Sequence, residues 1–250
     1  MTQHTHKNRD GESGNVLFLI LIAVALFAAL SYAVTQSSRS GGGDASKESN
    51  LIGSAQLTQY PAGVRTALVR MIIGGADVAT LEFNNESMGA TNNFSDCTSG
   101  YARCVFHPTG GAATYADAPK DLMAAGTPGT WVFNGENEIN LIGTTAGSDA
   151  PTTATADIIA FLPDITLSVC QQVNTSLGIS GVPTDTGINF ATQMMNVDGS
   201  TATSLVGSGT TATIGEATTA SSAGLDGEPY GCFQDTATSD YVYYHVLIER

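Results

Sequence analysis

Hydrophobic and polar positions divide this chain sharply. From Val16 to Val34 it reads VLFLILIAVALFAALSYAV, nineteen residues without a charge. At about 1.5 Å per residue, a helix of that length nearly crosses a bilayer core of about 30 Å. A polar head, MTQHTHKNRDGESG, precedes it, and TQSSRSGGGDASKES follows. Gly41-Gly42-Gly43 predict a hinge or a melted helical turn, because each glycine costs about 1 kcal/mol relative to alanine. Helical spacing resumes from Ala45 to Phe83. There Leu51, Ile52, Ala55, Leu57, Val64, Leu68, Met71 and Ile72 recur at threes and fours and predict one buried stripe. Pro61 predicts a kink or a restart, Gly74-Gly75 an end, and Val78 to Phe83 a strand or a last turn.

Turn formers dominate from Asn84 to Asp117 and predict irregular structure. Asp117-Ala118-Pro119-Lys120 reads as a helix start, with Leu122 to Ala125 a short helix ending at Gly126. Thr130 to Phe133 and Glu138 to Ile142 read as strands around Asn134-Gly135, a hairpin turn signal. Ile158 to Leu162 is a further apolar run. Thr166 to Leu177 predicts a helix with Leu167, Cys170, Val173 and Leu177 on one face and Gly178 as its stop. In residues 199 to 224, Gly, Ser, Thr and Ala supply 22 of 26 positions. Two strands, Ala202 to Val206 and Thr210 to Ile214, with a turn at Gly207-Ser208-Gly209, are one reading; a loop with nothing to bury is the other. Asp240 to Ile248 is the strongest strand. Its bulky residues on both faces predict a central position. The pattern is α+β: a long N-terminal helix, half of it membrane-type and half amphipathic, packed on an antiparallel sheet.

Charge narrows the partners. Net charge is −14, and the excess falls in residues 50 to 250, with five Lys/Arg against nineteen Asp/Glu. Such a domain is poorly suited to phosphate backbones, so no nucleic acid is expected. Four cysteines, Cys97, Cys104, Cys170 and Cys232, allow three pairings. The short spacing favours Cys97 with Cys104, leaving Cys170 with Cys232, bonds that an oxidising compartment would form. Lys7 and Arg9 before the apolar run balance Arg39 and Lys47 after it, so basic residues do not orient it. The short head and the cysteines place the head inside and the domain outside.

The first forty residues have three readings. Ser31-Tyr32-Ala33 offers small residues for signal-peptidase cleavage. An uncleaved anchor is the second. In the third, a hydrophilic leader ending at Gly14, then Asn15 and an apolar helix, resembles the start of type IV pilins and pseudopilins. The resemblance implies a prepilin peptidase cutting between Gly14 and Asn15, leaving 236 residues. It implies a leader over 1–14, a transmembrane and assembly helix over 15–35, a Gly/Ser-rich hinge over 36–50 and an exported globular domain over 51–250. The chain departs from the family at Asn15, where phenylalanine is usual, and at Leu19, where most members carry glutamate. The implied function is a structural subunit of a type IV pilus-like filament or secretion pseudopilus. It would sit in the bacterial inner membrane in contact with lipid, then form homo- or hetero-oligomers through its N-terminal helix, driven by a separate assembly motor. Ala23, Ala25, Ala28, Ala29 and Ala33 permit close helix approach. The alternative is a single-pass anchored extracytoplasmic binding or adhesive domain.

Catalytic signatures do not emerge. The sequence holds no GxSxG, Walker loop, HExxH or GxGxxG after a strand, so neither an enzyme nor a cofactor is expected. His4 and His6 belong to the head; His245 reads as a packing residue in the last strand, and His107 as a loop residue beside Cys104. Some pseudopilins bind calcium near the C-terminus, and Asp226, Glu228, Asp235 and Asp240 crowd there, but without EF-hand spacing they read as a solvated acidic surface with no metal. Asn-x-Ser/Thr triplets at Asn85, Asn93 and Asn174 read as signs of exposure.

Overall fold

A computed structural model describes residues 13–85, 97, 101–143, 156–191, 212–215 and 224–250, with α1 side chains described over 16–36 and from 48 onward. The chain divides into two units, Met1–Ser49 and Asn50–Arg250.

In the first unit the described backbone is the leading part of helix α1, Ser13–Ile73. Gly41, Gly42 and Gly43 are helical, where a melted turn was expected. Glycine imposes an entropic cost of about 1 kcal/mol per residue but no steric block, so helical neighbours can carry it.

The second unit begins with the rest of α1. Its buried stripe is Ser54, Leu57, Pro61, Val64, Leu68 and Met71, spaced by alternating threes and fours. Leu57, Val64, Leu68 and Met71 were expected there, whereas Leu51, Ile52 and Ala55 face outward. Gly53 turns the stripe: a Cβ there would meet Leu122 Cδ2 at 2.6 Å and Val169 Cγ2 at 3.7 Å, so a smooth backbone faces the neighbours. Pro61 lies inside the helix and does not restart it. Gly75, at φ +95°, ends it in a Schellman motif. Gly75 N donates to Ile72 O at 2.9 Å and Ala76 N to Met71 O at 3.0 Å. A 3-10 turn, Val78–Thr80, follows, capped by the Asp77 side chain.

Six strands form one sheet: β1 Val132–Ile139, β2 Asp157–Leu162, β3 Thr184–Asp185, β4 Ala212–Ile214, β5 Tyr230–Asp235 and β6 Tyr241–Ile248. Their order is β3-β5-β6-β2-β1-β4, so β6 is central as its two bulky faces require. The inner pairings are antiparallel, while β3 joins β5 and β4 joins β1 in parallel. Helix α2, Leu167–Ser176, ends at Leu177, and Gly178 adopts φ +78°. Its buried face is Val169, Cys170, Val173 and Asn174, while Leu167 is exposed.

Strand alternation builds two cores. Ile158, Ala160 and Leu162 of β2 and Tyr243 and Leu247 of β6 pack with α1 and α2. Ile159, Phe161, Val242, Tyr244 and Val246 form the opposite face, covered by Ile142, Ile188 and Leu225 from connections.

Two local expectations are overturned. Asn134-Gly135 is not a hairpin turn: it lies within β1, where the register against β2 shifts between Asn134 and Asn137. Polar side chains hold this bulge from within. Asn134 Nδ2 donates to Asn189 O at 2.8 Å, and Asn137 Nδ2 donates to Asn134 Oδ1 at 3.1 Å. The expected helix over Leu122 to Ala125 is a single 3-10 turn, Lys120–Leu122. Pairing with the segment before α2 competes successfully: Ala124 N donates to Asp164 O, and Thr166 N to Leu122 O, both at 2.8 Å. Of the Thr/Ser/Ala-rich stretch, β4 falls where the second strand was expected; Ala202 to Val206 and the turn at 207–209 lie outside the described residues.

Candidate functional site

The apolar segment is helical over Val16–Gln36, 21 residues, and none of it is buried. Its large side chains from Val16 to Val34 are between 40% and 72% exposed. A helix apolar all round is stable only when lipid or protein covers it. Polar groups at its end are satisfied locally: Gln36 Nε2 donates to Tyr32 OH at 2.8 Å, and Thr35 Oγ1 to Ser31 O. Among the described residues this is one helix long and apolar enough to cross a membrane. Gly14 and Asn15 lie in its first turn, beside its start at Ser13.

Cys97 and Cys104 are bonded, S–S 2.04 Å, and so are Cys170 and Cys232, with Cα atoms 5.5 Å apart. The second pair ties α2 to β5. One helical turn beyond Cys170, Asn174 reinforces it. Its amide donates to Cys232 O at 2.9 Å and accepts from Cys232 N at 3.0 Å, as a neighbouring strand would. It also donates to Gly181 O at 3.0 Å. Asn174 is fully buried and Asn85 nearly so, which overturns the reading of these triplets as exposed; Asn93 lies outside the described residues. An asparagine whose polar atoms are all spent on backbone can be interior.

The four late acids do not form one loop site. Asp235 and Asp240 sit at the turn between β5 and β6, where Asp235 Oδ2 accepts from Ala237 N, Thr238 N and Thr238 Oγ1 within 3.1 Å. Asp226 and Glu228 precede β5, at the strand's other end. Sequence proximity gathered them; the six-residue strand parts them.

His245 is buried, as a packing residue should be. Its Nδ1 lies 2.9 Å from Tyr243 OH, and its ring stacks on Tyr230 with centroids 5.7 Å apart. Burial first, and the Arg65 charge second, lower its pKa to about 4, so it is neutral at physiological pH. His107 Nδ1 accepts from Thr109 N at 3.1 Å, and the ring stacks on Tyr101 with centroids 4.1 Å apart.

Asp157 was not singled out by sequence. It sits fully buried at the start of β2 and ties β1 to the segment that follows β6. Oδ2 accepts from Ile139 N and Oδ1 from Arg250 N, each at 3.0 Å. Burial pushes its carboxyl up to about 6 against the lowering effect of those bonds. The only signal in the sequence is an acid opening an otherwise apolar run.

Open grooves also occur among the described residues. One, about 430 Å³, runs between α1 and residues 112–114. Another, about 660 Å³, lies between the end of α2 and residues 224–228. Neither is lined by a histidine or a cysteine.

No family model matches the chain, and neither the curated proteins nor the solved structures contain a match to it. The class of protein therefore rests on what these residues do physically: a mixed helix and sheet domain joined to an N-terminal apolar helix, with two bonded cysteine pairs.

Proposed function

We propose that this chain is a pilin-like structural subunit, held in a bacterial inner membrane by its N-terminal helix before that helix packs into a filament or pseudopilus. The observation that carries the reading is the uncovered apolar surface of Val16–Gln36 on the same helix whose later half packs onto a sheet. One helix then serves two solvents: lipid or sister helices along its first half, the domain core along its second. The work assigned is assembly and contact, without catalysis or cofactor. Extraction and polymerisation draw on a separate motor, and a prepilin peptidase removes residues 1–14. Leu19, which carries no charge, cannot pair with a neighbour's amino terminus. The reading therefore requires assembly that does without an ion pair at this position.

Edman or mass-spectrometric sequencing of the protein from its native host tests this. An amino terminus at Asn15, above all an N-methylated one, supports assembly. A terminus at Met1 or Thr2 replaces it with an anchored binding or adhesive domain, and one beginning at Val34 or just beyond replaces it with a secreted protein.

A further inference from the structure

One buried acid faces reacting atoms. Glu82 follows the 3-10 turn Val78–Thr80 and is 2% exposed. Backbone bonds hold it beside Cys104: Glu82 N donates to Arg103 O at 3.0 Å, and Val105 N donates to Glu82 O at 2.9 Å. From that position its Oε2 lies 3.4 Å from Cys104 Sγ. A carboxylate oxygen of Glu82 and the sulfurs of Cys97 and Cys104 all fall within 4.8 Å of one another, and all three residues are buried. The sulfurs are bonded to each other, so the trio is not a metal site in this form. The carboxylate has a different use. Thiol–disulfide exchange requires a thiolate as the attacking species. A buried thiol loses its proton faster to a base already within reach than to hydroxide that must arrive from solvent.

We propose that Glu82 is the base that closes the Cys97–Cys104 bond during oxidative maturation. The Cys97 thiol first loses its proton to solvent and attacks a disulfide donor, glutathione disulfide or a disulfide-bearing oxidoreductase; the donor's S–S bond breaks, one half stays on Cys97 as a mixed disulfide and the other leaves as a thiolate. Glu82 then takes the Cys104 thiol proton, and the Cys104 sulfur attacks the Cys97 sulfur. The new S–S bond forms as the bond from Cys97 to the donor breaks. The electron pair leaves with the donor thiolate, the two cysteines are oxidised, and the donor is reduced. The backbone bridge from Glu82 to residues 103–105 sets the carboxylate in place before the bond exists. In the reverse direction the protonated acid returns its proton to the leaving Cys104. The other pair provides an internal reference, since Cys232 Sγ faces the Phe233 carbonyl oxygen at 3.9 Å, with no carboxylate bonded to it among the described residues. This proposal does not depend on whether the chain enters a filament.

The full chain, reduced in detergent, is reoxidised with glutathione disulfide and quenched with an alkylating reagent. Peptide mass then follows conversion of each singly glutathionylated pair to its disulfide. In the native sequence, closure of Cys97–Cys104 is expected to depend less steeply on pH than closure of Cys170–Cys232 over about 6.5 to 8.5, because its base is internal. Closure of Cys170–Cys232 is expected to rise about tenfold per pH unit over the same range, because its thiolate forms only by loss of a proton to solvent. In Glu82→Gln, closure of Cys97–Cys104 slows about tenfold or more and acquires that pH dependence, while the other pair is unchanged. A tenfold-per-unit rise at Cys97–Cys104 in the native sequence overturns the proposal, and that arm needs no variant to fold. So does a Glu82→Gln chain that closes at the native rate, or one that slows both pairs equally, which marks a structural role alone.

Discussion

Asn174 spends its whole amide on backbone groups of two other segments, so its truncation leaves two buried groups of Cys232 unmet, along with the more exposed Gly181 O. Each such group costs about 1–3 kcal/mol. Asn174→Ala is therefore expected to lower stability by about 2–4 kcal/mol in urea unfolding, with both disulfides intact. Asp157 and His245 act on stability in opposite directions with pH. Asp157, raised from 3.8 to about 6, binds its proton more tightly folded than unfolded. Its contribution is greatest below its unfolded pKa and is lost as pH rises through about 6. His245, lowered from 6.5 to about 4, contributes fully above 6.5 and loses that contribution as pH falls through about 4. Against the native chain, Asp157→Asn should gain thermal stability as pH rises across this window, and His245→Phe should gain as it falls. Melting temperatures measured from about pH 4 to about pH 6.5 check both signs, and equal slopes in all three proteins would refute them. Fixed offsets from lost contacts leave the slopes untouched.

At the level of elements, α1 separates propensity from packing. Gly63 has nothing within 4 Å of where a Cβ would stand, so Gly63→Ala should stabilise the domain by about 0.5–1 kcal/mol through helix propensity alone. Gly53 faces Leu122 and Val169, so Gly53→Leu should destabilise it by about 1–3 kcal/mol through overpacking. Chemical denaturation of the two variants decides between these signs. The stripe of α1 was legible because Leu57, Val64, Leu68 and Met71 keep helical spacing. Its phase was not legible, because Leu51 and Ile52 are as apolar as the residues that bury. Similarly, α2 carried its stop in Gly178, while Asn134-Gly135 gave a turn signal that β1 overrode. A local turn preference of that size yields when a strand gains a partner on each side, as β1 does from β2 and β4.

For the whole molecule, both described cores lie in the second unit, while Val16–Gln36 in the first presents apolar surface, none of it buried among the described residues. A chain starting at Asn50 is therefore expected to be monomeric without detergent, and the full chain to require detergent or to self-associate. Size-exclusion chromatography with light scattering reads the difference. A full chain that runs as a monomer in plain buffer removes the basis for anchoring.

The amino-acid order alone determined the properties that come from runs and spacing: an uncharged segment of spanning length, an amphipathic helix, a central last strand, and a preference among cysteine pairings set by short separation. These are local or one-dimensional quantities, so a sequence carries them outright. Tertiary structure alone decided which face of α1 is buried, the bulge in β1, the parallel edges at β3 and β4, and the polar atoms that bridge distant segments. Asn174 meets Cys232 across 58 positions, and Asp157 meets Arg250 across 93. A buried polar residue and an exposed one look alike in sequence. What separates them is the partner, and the partner is chosen only when the sheet closes.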